Sequence, residues 1–144
     1  MGGTPTRSPQ VARVVGQEVH RMGAVPQRRE PMAIFTLEEA RTLLPRVKEI
    51  TQHSYEIVEE LQTQLESTEH PREVRRLEAQ VNEVLQRWAA AVKELGVEVK
   101  GLWLADFDSG DGYYYCWQLG EDDIEHFHRY ETGFAGRRPI TLLD

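Results

Sequence analysis

The side chains of this 144-residue chain that could do chemistry crowd into one stretch, YYYCWQLGEDDIEHFHRYETGFAGRRP, from Tyr113 to Pro139. It holds the single cysteine, Cys116, together with five acids, His126 and His128, and the adjacent Arg137 and Arg138. A thiolate, an imidazole and carboxylates are together a ligand set for a divalent metal such as zinc. The candidate ligands are Cys116, Glu121, Glu125 and His128. If a helix starts near Glu121, positions 121, 125 and 128 follow i, i+4, i+7 and share one face. Glu125-x-x-His128 also has the i, i+3 spacing of carboxylate-bridged di-iron bundles, but those need a second such motif and further glutamates, and here there is one copy. On that helix His126 and His128 lie about 200° apart and do not share a metal. A Cys116 nucleophile paired with His128 is the weaker alternative, because a lone cysteine in an aromatic strand is more often buried and inert. Arg137 and Arg138 are candidates to clamp a carboxylate or phosphate anion; the plainer alternative is pairing with an acidic body. A ligand-free explanation of the segment also exists. Acids in the first turn and His126, His128 and Arg129 toward the end suit the helix dipole, at about 0.3–1 kcal/mol per well-placed charge.

These residues need elements to position them. FTLEEARTLLPRV carries a capping box, with Thr36 as N-cap and Glu39 three residues on. Leu37, Ala40, Leu44, Val47, Val58, Leu61 and Leu65 follow in one helical register, and Leu43, Val47, Ile50, Ile57 and Leu61 widen the apolar face. Pro45 removes a helix hydrogen bond, which predicts a kink or a short helix running into a long one. STEHPRE breaks the pattern, and Pro71 suits the first turn of a new helix. Val74, Leu77, Val81, Val84, Trp88, Ala91 and Leu95 then step by alternating threes and fours, a coiled-coil-like seam ending at Gly96. After Gly96 the period changes. VEVKGLWLADF, the turn DSGDG and YYYCWQ predict a β-hairpin, with Tyr113, Tyr115 and Trp117 on one face and Tyr114, Cys116 and Gln118 on the other.

The fold class predicted is therefore mainly α, of α+β type: an antiparallel helical hairpin over 36–95, a β-hairpin over 97–118, and a short C-terminal helix and loop over 120–140. Residues 32–144 form one domain. Residues 1–31 have no sustained apolar period and are expected to be a disordered or non-native extension, with Met32 an equally good start.

No window approaches the roughly 20 apolar residues of a membrane helix, and one cysteine forms no internal disulfide, so a cytoplasmic setting without membrane partners is expected. Five arginines against two glutamates give residues 1–30 a surplus of +3, so the remainder of a chain at −7 carries −10. Such a body repels phosphate backbones, and nucleic acid is not an expected partner. The second apolar rows on both helices predict a homodimer through the hairpin, as a four-helix bundle.

FTLEEARTLLPRVKEI near the start and YCWQLGEDDIEHFHRYETGFAGRRPI near the end, with a helical hairpin between, resemble the uncharacterised bacterial family called domain of unknown function 2203. The similarity covers about residues 33–140. Cys116, Trp117, Leu119, Gly120, Glu121, His128, Gly133, Phe134, Ala135, Gly136 and Arg137 match its pattern; Phe127 stands where the pattern has tryptophan, and His126 is outside it. The resemblance implies no activity, but it singles out Cys116, Glu121, His128 and Arg137 as a set. With no nucleophile–base motif, phosphate loop or dinucleotide fingerprint in the chain, the leading expectation is a self-associating interaction module without catalytic residues. The alternative is a metal-binding protein or metalloenzyme with a site near residues 116–128.

Overall fold

The computed structural model describes residues 33–143; the expectation for residues 1–31 lies outside them. Two helices lead, α1 (Leu37–Glu66) and α2 (Pro71–Glu94). The Thr36 hydroxyl accepts from the Glu39 N–H at 3.0 Å while the Glu39 carboxylate accepts from the Thr36 N–H at 2.9 Å, the reciprocal box that starts α1. Pro45 lies inside α1 without dividing it. The helix is held by what it buries: Ala40, Leu44, Val47, Thr51, Ser54, Val58, Leu61 and Leu65 form one continuous stripe. Leu77, Val81, Leu85, Trp88, Ala89 and Val92 answer from α2. Where the two helices meet, the buried Trp88 indole donates to the Thr51 hydroxyl at 2.9 Å, so the polar atoms in that contact are paired.

Gly96, at φ 87°, turns the chain out of α2. An antiparallel sheet follows in which each strand pairs with its neighbour in sequence: β1 (Glu98–Gly101), β2 (Leu104–Asp108), β3 (Tyr113–Gln118), β4 (His126–Arg129) and the two-residue β5 (Arg138–Pro139). The stretch 97–118 is thus three strands rather than a two-stranded hairpin. Its first turn passes through Trp103, a non-glycine residue at φ 60° that is buried edge-on against Trp88 and Tyr55.

The short helix expected from Glu121 is not there. His126–Arg129 is a strand, paired with Tyr113–Cys116, and the chain then passes through single 3-10 turns at Phe134–Gly136 and Ile140–Leu143. Without β4, β3 would present an unpaired row of N–H and C=O groups. Asp123 accepts the Ile124 N–H at 2.7 Å without starting a helix, and the aromatic Phe127 suits a half-buried strand. Ile124 and Phe127 are buried as expected, but on a loop and a strand instead of one helical face.

The sheet is two-sided. Ala105, Phe107, Tyr115, Trp117 and Phe127 are buried, and the first four join the helices in one core. Alternation places Lys100, Asp106, Tyr114, Cys116, His126 and His128 on the opposite face.

Candidate functional site

Strand pairing assembles the site. Asp106 on β2 stands opposite Cys116 on β3, and Cys116 stands opposite His126 on β4, with His128 two residues further on. Three side chains converge: one ligand atom each from Asp106, Cys116 and His128, all within 4.8 Å of one another. The three residues are 1%, 1% and 2% exposed. Two of the three were singled out in the sequence; Asp106 was missed. The DSGDG turn predicts that its strand pairs with YYYCWQ, but counting outward from the centre of that turn sets Asp106 opposite Tyr114; the observed ladder is centred one residue later, on Asp111, and this brings Asp106 across from Cys116.

The protons follow from the partners. His128 Nδ1 is 2.9 Å from the Arg129 carbonyl, which only accepts, so Nδ1 carries hydrogen. Nε2 is 2.9 Å from the Asp106 carboxylate, which also accepts. Below the raised pKa of His128 both ring nitrogens donate, Nδ1 to the Arg129 carbonyl and Nε2 to Asp106. The hydrogen bond to Asp106 raises the His128 pKa above its ordinary value, against the opposing effect of burial. Burial, and then Asp106 beside it, push the Cys116 thiol far up, so Cys116 is a neutral thiol. These assignments exclude a cysteine–histidine nucleophile pair here: both nitrogens of His128 are engaged elsewhere, and the thiol is not poised to ionise. One atom is left over. Asp106 Oδ1 is buried with no hydrogen-bond partner among the described residues.

Glu121 and Arg137 form the rim. Arg137 Nη2 donates to Glu121 Oε1 at 2.8 Å and to the Cys116 carbonyl at 3.2 Å. Glu121 Oε1 also accepts from the Gln118 N–H at 2.8 Å. Burial alone would raise the Glu121 pKa, but the bonds from Arg137 and Gln118 outweigh it and hold the carboxyl below its ordinary value. His126 Nδ1 lies 3.5 Å from Glu121 Oε2. Because β4 is a strand, His126 and His128 share a face rather than standing apart as on a helix. Tyr114 covers the His128 side, its ring 5.5 Å from the imidazole, with the Lys100 ammonium 3.9 Å over the Tyr114 ring.

The remaining candidates fall outside. Glu125 is exposed and does not join the converging group, because the helix that would have aligned it with Glu121 and His128 is replaced by a loop and strand. Arg137 is committed to Glu121, while Arg138 is exposed on β5 opposite Phe127, so the two arginines do not form a ready fork.

No helix among the described residues is long and apolar enough to cross a membrane. No curated protein and no solved structure matches the chain. A family profile described as "Uncharacterized conserved protein (DUF2203)" matches residues 33–140, which include both helices, the sheet and every residue of the site. On that match the chain belongs to the DUF2203 family.

Proposed function

We propose that this protein binds a divalent transition metal, zinc in the first instance, through Asp106, Cys116 and His128. The observation that carries this reading is the convergence of the three buried ligand types on one point, with a carboxylate oxygen that has no hydrogen-bond partner among the described residues. Tetrahedral zinc bonds of about 2.0–2.2 Å to N and O place two such ligands roughly 3.3 Å apart. The 2.9 Å separation of His128 Nε2 and Asp106 Oδ2 then has to open by only a few tenths of an ångström. The metal takes the place of the proton now shared there, and of the thiol proton. The Nδ1–H bond to the Arg129 carbonyl is the outer contact that fixes a ligating histidine with Nε2 forward. Three protein ligands leave a fourth position for water.

The test is metal uptake by untagged, chelator-treated protein. One equivalent of Co²⁺ should bind and give the absorption bands of a thiolate-ligated tetrahedral ion. Cys116→Ala and His128→Ala should each weaken binding at least tenfold, and Glu125→Ala should not. A folded protein that takes up neither Co²⁺ nor Zn²⁺ at micromolar concentration refutes the reading.

Self-association through the helical hairpin is the second reading. It is supported by Ile57, which is 37% exposed on α1, and by Leu43, Ile50 and Val84, which are only partly buried. Leu85, Ala89 and Val92 on α2 are buried within the chain, so the row left open is narrow. Sedimentation equilibrium decides it: a mass near 16.6 kDa rules the dimer out, and a dimer that survives Val84→Glu has its contact elsewhere.

A further inference from the structure

Resting on the metal-binding reading above, we propose that the Glu121–Arg137 pair is the latch that a metal must displace to reach Asp106, Cys116 and His128. The ligands have almost no exposure of their own. On the helix side of the sheet, Phe107, Tyr115 and Trp117 fill the core and leave no path. Within the sheet, β2, β3 and β4 each have a paired neighbour on both sides, so parting them breaks main-chain hydrogen bonds. The remaining route is over the polar face. Of the side chains there, Lys100, Tyr114 and His126 sit on paired strands and swing only about their own side-chain bonds. Arg137 differs. It follows the loop from Tyr130 and the single 3-10 turn Phe134–Gly136, which opens at Gly133 with φ 66°. After it come the two-residue β5 and the 3-10 turn Ile140–Leu143, which is tied back by the Ile140 N–H to the Glu125 carbonyl.

The Arg137 backbone is held by its N–H to the Phe134 carbonyl, and its side chain is held by the guanidinium. Nη2 grips Glu121 and the carbonyl of the ligand Cys116, with the Phe134 ring 4.8 Å away. Arg137 Nε is buried and finds no acceptor among the described residues, so the closed latch is one hydrogen bond short of satisfied. Glu121 is anchored independently by the Gln118 N–H. The arginine is therefore the moving half and the glutamate the catch.

The distinguishing readout is the rate at which metal goes on, because a residue that merely supports the site changes how fast metal leaves. Metal-free protein is mixed with Co²⁺ in a stopped-flow instrument and the association rate is measured for wild type, Arg137→Gln and Glu121→Gln. Each variant should associate at least tenfold faster with unchanged far-ultraviolet circular dichroism. Unchanged association rates in folded variants, whatever happens to dissociation, overturn the latch while leaving the metal site standing. Wild-type protein that takes up no Co²⁺ overturns the metal-binding reading, and the latch with it. Should Arg137→Gln not fold, Glu121→Gln alone tests the same pair, because it weakens the catch and keeps the arginine's bond to the Cys116 carbonyl.

Discussion

Asp106→Asn removes one charge from a pair in which both side chains are 2% exposed. Stranding a buried charge costs about 3–5 kcal/mol. Here the imidazolium has an escape. It can lose the Nε2 proton, keep its Nδ1–H on the Arg129 carbonyl, and accept a hydrogen bond from the new amide. The loss is then that of one charge-assisted hydrogen bond, about 1.5–3 kcal/mol. The size of the effect depends on pH, and its sign is fixed. The folded His128 pKa lies above its ordinary 6.5. The pair's contribution is therefore fully present below that ordinary value and is lost as pH rises through the folded one. Urea denaturation of chelator-treated protein should show wild type ahead of the variant by the full amount near pH 6, with the gap narrowing toward pH 9. A gap that widens as pH rises above 6.5 would be the opposite sign and would mean that the proton assignment for the site is wrong.

Thr51→Val leaves the buried Trp88 N–H without its acceptor and should cost about 1–3 kcal/mol in urea denaturation; a cost below about 0.5 kcal/mol would mean the indole finds another partner. Gly96→Ala forces a side chain into φ 87° with its Cβ 2.5 Å from that of Ala33, and should lower stability by at least about 1 kcal/mol; an unchanged urea midpoint would show that the Ala33 segment yields freely. With Arg137 committed to Glu121, phosphate should raise the melting temperature no more than chloride of matched ionic strength does. A phosphate-specific rise abolished by Arg137→Ala would instead establish the anion clamp.

The helices were legible because both signals were strong and local: a capping box at Thr36 and Glu39, and apolar steps of three and four that the buried stripe of α1 follows through Pro45. The DSGDG turn and the two faces of YYYCWQ were equally plain. IEHFHR was not. Ile124 and Phe127 stand three apart, which on a short segment reads as a helical turn, and only the open edge of β3 decides for a strand. That one misreading carried the site with it: it aligned Glu125 with His128, separated His126 from His128, and gave no reason to look back to Asp106. A residue ten positions before Cys116 becomes its neighbour only through ladder register, which no periodicity within either strand reveals.

That register is specified twice over. In a strand, a slip of one residue exchanges the two faces. A slip of β3 against β2 would turn Trp117 out to water and Cys116 into the aromatic core, and Asp106 would lose its place opposite the thiol. Apolar packing on one side and the ion pair on the other thus reject the same error, by unrelated forces. Indel tolerance should follow this division. One residue added at Gly110–Gly112 lengthens a turn and leaves both faces in phase. One residue added between Ala105 and Phe107 puts the two sides of β2 out of step, and no repacking of the helices restores both at once.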